Sequence, residues 1–183
     1  MVTGQAEDHE KVARQIALRL LTSAPRSRAQ LAEAMAKKDV PPAVAETVLD
    51  RFTDVGLIDD AEYAAILVRT RHTERGQARR AIAQELTRKG IDAETAAEAL
   101  DVIDRESEDA AAYDLVRRRA PASVGLPREK RERRLVEMLA RKGHHPSAAF
   151  RIVREVLAEQ GGTAPHDGAG ELRDVGADEL DSP

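Results

Sequence analysis

Apolar residues recur along this chain with the period of amphipathic helices, and one helical segment is written three times. The copies are residues 31–38 (LAEAMAKK), 82–89 (IAQELTRK) and 135–142 (LVEMLARK), 51 and then 53 residues apart. Each carries an apolar pair four residues apart, Leu31 with Met35, Ile82 with Leu86 and Leu135 with Leu139, a spacing that sets both side chains on one helix face. Each also ends in two basic residues, which suit a helix C-terminus. Gly90 and Gly143 follow two copies, where a left-handed cap is easiest without a Cβ; Asp39 stands there in the first. Tandem units of this period usually present a surface to a macromolecule.

Around the three copies the pattern predicts nine helices in three sets. In the first set, residues 12–21 bear an apolar face of Ile16, Ala17, Leu20 and Leu21, and Pro25 lies beyond the end. Ser27 with Gln30 forms a capping-box pattern for the second helix. Pro42 opens the third, whose apolar positions are Val44, Ala45, Val48, Leu49 and Phe52, and Gly56 ends it. In the second set Asp59 caps a helix bearing Ile66, Leu67 and Val68, Gly76 breaks it from the repeated segment, and Asp92 caps the helix of Ala96, Leu100 and Ile103. The third set restates Leu67-Val68-Arg69 as Leu115-Val116-Arg117 at a spacing of 48, so the later spacing of 53 implies five extra residues near Pro121, Gly125 and Pro127. His145-Pro146 starts the last helix, with Ala149, Val153 and Val156 on its apolar face.

The fold expected is therefore all-α: three tandem three-helix repeats, over residues 9–57, 58–105 and 106–159, forming an elongated, curved array of right or left hand. Residues 1–8 are expected to be disordered. Residues 160–183, rich in Gly, Asp and Pro without helical period, read as a disordered acidic tail.

A unit of about 50 residues is marginal alone, so neighbouring sets are expected to share a core. With four aromatic residues, Phe52, Phe150, Tyr63 and Tyr113, that core must be built from Leu, Ile, Val and Ala. The chain has no cysteine, which excludes disulfides and thiolate chemistry. It has neither a long apolar run nor a basic, apolar start, so no membrane contact and a cytoplasmic location are expected. The net charge of -4 argues against a nucleic-acid partner until its distribution is considered. Residues 160–183 hold six acidic side chains against one arginine, and the remainder has 28 basic and 27 acidic residues.

No phosphate loop, dinucleotide fingerprint or catalytic motif is present, so no cofactor, catalytic residue or small-molecule substrate is expected. His144 and His145 are adjacent and point apart, which suits an exposed turn better than a metal site. Asp59, Asp60 and Glu62 suit a helix start better than a divalent ion. The informative chemistry is charge. With Ile82 and Leu86 inward, that helix turns Arg80, Gln84 and Arg88 outward; the third set has Arg133, Glu137 and Arg141 there, and the first Ala29, Glu33 and Lys37. Residues 69–91 hold seven basic and two acidic side chains, and residues 128–142 hold seven and three. Outward geometry and charge select Arg79, Arg80, Arg88, Lys89, Arg133, Arg134, Arg141 and Lys142 as candidate partner-binding residues, for an anion-rich surface on nucleic acid or protein. The plain alternative is that these are solvated helix faces. Scarce aromatics disfavour binding of single strands by base stacking.

The run Gly56-Leu57-Ile58-Asp59-Asp60-Ala61-Glu62-Tyr63-Ala64, followed by Arg69, Arg71, Gly76, Arg79, Ile82, Glu85-Leu86, Lys89-Gly90-Ile91 and Ala99-Leu100, resembles the core signature of the bacterial RecX regulatory proteins. The likeness spans residues 12–158, with Ile58 where leucine is frequent and His144 where an apolar residue is expected. It implies tandem three-helix repeats that bind RecA recombinase and its nucleoprotein filament and inhibit its ATPase, strand-exchange and coprotease activities; the basic faces add the expectation of weak DNA contact. It also implies a regulator of DNA repair and recombination without catalysis of its own. A helical DNA-binding protein with helix-turn-helix-like units is the alternative.

Overall fold

Side-chain caps start four of the helices, three of them at Ser27, Asp59 and Asp92 as the sequence implies and the fourth at Asp104. The Ser27 Oγ accepts from the Gln30 N–H at 3.3 Å while Gln30 Oε1 accepts from the Ser27 N–H at 3.1 Å, a reciprocal box that opens α2 (Arg28–Ala36). Asp59, Asp92 and Asp104 accept from the N–H groups of Glu62, Thr95 and Ser107 at 2.8, 2.9 and 2.8 Å. They open α4 (Asp60–Arg69), α6 (Ala93–Leu100) and α7 (Arg105–Arg119). The computed structural model describes residues 2–161, and its remaining helices are α1 (Val2–Ser23), α3 (Pro42–Asp54), α5 (Arg79–Arg88), α8 (Arg128–Arg141) and α9 (Pro146–Gly161). A π-helical turn, Thr70–Glu74, follows α4, and a 3-10 turn, Ala120–Ser123, absorbs part of the five-residue excess. Among the described residues there is no strand.

The start of α1 corrects one expectation: the helix begins at Val2, through the stretch read as loose. Farther along, Glu10 joins Arg14 one turn on at 2.7 Å and Arg51 of α3 at 2.5 Å, which ties α1 to α3. The acidic tail lies outside the described residues from residue 162 onward.

A second correction concerns the core. The sets do not share one; each has its own. Leu31, Met35, Val48 and Leu49 centre the first, Ile82, Leu86 and Leu100 the second, and Leu135, Leu139, Ile152 and Val153 the third. Leu86 and Leu139 are both fully buried. Leu86→Ala and Leu139→Ala should therefore each lower the unfolding free energy by about 3 kcal/mol in urea titration. Losses below about 0.5 kcal/mol would mark surface positions instead.

The sets meet through helix ends, and the same junction is built twice. At the first, Ser27 Oγ donates to the Lys89 carbonyl at 2.6 Å and the Arg28 N–H donates to Asp60 Oδ1 at 2.8 Å. At the second, the Ala78 N–H donates to the Lys142 carbonyl at 3.0 Å and the Arg79 N–H donates to Glu108 Oε2 at 2.7 Å. An acid from the next set thus satisfies an orphan N–H of each second helix. Backbones approach closely here: a Cβ on Gly90 would lie 2.2 Å from the Ala29 Cβ, and one on Gly143 would lie 2.7 Å from the Ala81 Cβ. Glycine is needed at both places for space as well as for its positive φ.

His144 corrects the expected exposed turn, because it is buried and its Nε2 lies 2.9 Å from the Gly76 carbonyl. Its N–H bonds the Leu139 carbonyl as Ile91 does Leu86 and Val40 does Met35, so it fills the place of two buried aliphatic residues. The carbonyl of Gly76 accepts its ring N–H, which offsets the cost of burying a polar ring.

Candidate basic cleft between the second and third sets

The last turn of α7 carries Arg117, Arg118 and Arg119, cations placed where the helix dipole favours them. Arg75 follows the π-helical turn, and the last turn of α8 brings Arg141 and the capping residue Lys142. An ion pair sets the π-helical turn in place: Arg71 Nε and Nη2 donate to Glu85 of α5 at 2.8 and 2.6 Å. These hydrogen bonds hold the Glu85 carboxyl below its ordinary range.

Together these elements enclose a cleft of about 550 Å³. Leu115, Leu135 and Met138 form its apolar part; Arg75, Arg118, Arg119, Arg134, Arg141 and Lys142 line the rest, with Glu74 as the one carboxylate. None of the six cations is in an ion pair among the described residues. Burial, then the positive charge of Arg75, Arg119 and Arg71, pushes the Lys142 ammonium below its ordinary value. Six cations facing a single carboxylate favour an anion that enters and neutralises them.

Of the candidates named from sequence, Arg134, Arg141 and Lys142 come together in this cleft. Arg80, Arg88 and Arg133 are exposed elsewhere on their helices, Arg133 reaching Glu137 at 3.8 Å. Lys89 gives its carbonyl to the first junction. Arg79 is committed to the fold: its guanidinium donates to the carbonyls of Leu100, the last residue of α6, and of Ile103 just beyond it, and pairs with Asp101 at 3.2 Å. Arg75, Arg118 and Arg119 were not singled out by sequence reasoning. The signal for two of them was the three-arginine run ahead of Ala120-Pro121, on a first helix of a set, whereas the ridges were sought on the second helices.

Three tandem three-helix sets joined end to end, with a cation-lined cleft at the second joint, define a helical-repeat protein. Residues 13–52 match the family model for the first three-helix domain of RecX, and residues 59–100 match that for the second. The regulatory protein RecX of Thermobifida fusca is 50% identical over 155 residues, covering 85% of this chain and 84% of that protein. The Streptomyces coelicolor protein is 49% identical over 159 residues, covering 87% and 85%. The chain belongs to the RecX family of regulatory proteins. Its fold matches the crystal structure of RecX from Lactobacillus salivarius, with TM-score 0.68 at 21% identity over 83% of this chain and 99% of that one. A second crystal structure of regulatory protein RecX matches at TM-score 0.67, 24% identity, 82% and 74% coverage. Among the described residues no helix is long and apolar enough to cross a membrane.

Proposed function

We propose that this protein binds RecA recombinase and its nucleoprotein filament in the cytoplasm and inhibits its ATPase, strand-exchange and coprotease activities, acting as a regulator and not as a catalyst. Family membership supports the partner, and the observation that carries the contact is the cleft in which six cations face one carboxylate, Glu74, and make no ion pair among the described residues. Arg75, Arg118, Arg119, Arg134, Arg141 and Lys142 form the main contact with the filament, including weak contact with its DNA. Arg80, Arg88, Lys89 and Arg133 flank it, and Arg79 acts through the fold.

Substoichiometric protein should slow DNA-dependent ATP hydrolysis and strand exchange by RecA. Unchanged RecA rates at several-fold excess would sink the reading. Hydrolysis of nucleotide or DNA that co-purifies with this chain alone would move it to the enzyme class.

A further inference from the structure

The chain carries its own counter-charge for the basic cleft. Residues 162–183 hold six acidic side chains, Asp167, Glu171, Asp174, Asp178, Glu179 and Asp181, and one arginine. They follow directly on α9, whose end is fixed beside the cleft. Arg131 of α8 donates from Nη2 to Gln160 Oε1 at 2.7 Å and from Nε to Ser123 Oγ at 3.2 Å. Ser123 lines the cleft, so one guanidinium lies between the residue near the end of α9 and the cleft wall. Twenty-two residues of extended backbone span at most about 70 Å, so the segment is long enough to turn back from the end of α9 toward the cations.

We infer that residues 162–183 dock intramolecularly in the cleft of Arg75, Arg118, Arg119, Arg134, Arg141 and Lys142 and compete there with any anionic partner. Glu74 is the one carboxylate in the cleft wall, and none of the six cations is in an ion pair among the described residues, so docking removes like-charge repulsion without breaking an existing pair. Attachment in the same chain gives the acidic segment an effective concentration on the order of millimolar, enough for individually weak charge contacts to compete. Such a device sets a threshold: a partner must present more closely spaced negative charge than the segment to displace it. The inference concerns this chain alone and stands whether or not RecA is the partner.

The absence of cysteine makes a single spin label specific: it is attached at Ser182→Cys in the full chain, and its effect on backbone amide signals is read by NMR. At low salt the signals of Ala122, Ser123 and Arg141 should broaden and those of Ala43 and Thr47 in the first set should not. Half-molar salt should restore them, because exposed charges are then screened within a few ångströms. Broadening that is uniform, or that persists in high salt, overturns the proposal. A mixture of spin-labelled chain with isotope-labelled, cysteine-free chain tests docking between molecules; cleft broadening in that mixture also overturns it.

A second readout uses the variant Asp167→Asn, Glu171→Gln, Asp174→Asn, Asp178→Asn, Glu179→Gln, Asp181→Asn, which leaves all described residues intact. It should bind a fluorescein-labelled oligothymidylate about tenfold more tightly than the natural chain at low salt, with the difference vanishing as salt rises. Equal affinity of the two chains at low salt overturns the competition. Because no assay includes RecA, failure here is distinct from failure of the proposed function.

Discussion

Replacing Arg118, Arg134 and Arg141 together by glutamate should weaken binding to RecA filaments at least about a hundredfold, roughly 2.7 kcal/mol, while the circular dichroism spectrum and urea midpoint stay close to those of the natural chain. All three side chains are exposed, line the cleft and make no ion pair or hydrogen bond among the described residues, so their removal breaks nothing in the fold. The substitution changes the local charge by six units, and contact with an anionic surface turns from attraction to repulsion. Reversal of Arg80, Arg88 and Arg133, which lie outside the cleft, should have a clearly smaller effect. Filament binding by the cleft variant that matches the natural chain at low salt would reduce the cleft to a solvated face. Arg79→Glu is a different experiment, since it withdraws hydrogen bonds from the end of α6 and should act through stability.

The second large effect is expected at Gly90. Gly90 and Gly56 have nearly the same backbone conformation, φ +75° and +72°, but a Cβ on Gly56 would meet nothing within 4 Å. Gly56→Ala should thus cost only the left-handed conformation, about 1–2 kcal/mol. Gly90→Ala adds overpacking against Ala29, about 1–3 kcal/mol more, for a total of about 2–5 kcal/mol in urea unfolding. Ala29→Gly in the Gly90→Ala background should recover the added part and leave the backbone part, because the two side chains collide with each other. Equal losses for Gly56→Ala and Gly90→Ala would show that the junction yields freely.

Helix content, the three sets and most caps were legible from period and spacing. Ser27, Asp59 and Asp92 cap where their positions implied, and the offsets of 51 and 53 between the repeated segments also relate the two halves of the junction, Ser27 to Ala78 and Lys89 to Lys142. What periodicity does not contain is which outward faces meet. It says that a side chain leaves its own helix, and Arg79 does, yet a long side chain in the first turn of α5 reaches the carbonyls at the end of α6. The cleft was hidden for the same reason: its cations come from the end of a π-helical turn, the end of α7 and the middle and end of α8, which only the second junction brings together. His144 was misread because a histidine next to a glycine resembles an exposed turn, and nothing in the sequence announces that the Gly76 carbonyl awaits it.

Three separate cores joined by two narrow, glycine-lined contacts make the molecule stiff in three places and compliant in two. Bending it would leave the three hydrophobic interiors packed and would fall on the junctions, on the contacts of Gly90 with Ala29 and Gly143 with Ala81 and the hydrogen bonds beside them. An array of this kind behaves as a short linked chain of rigid blocks. It can follow a partner surface whose curvature changes, keeping the blocks seated while the joints take up the difference.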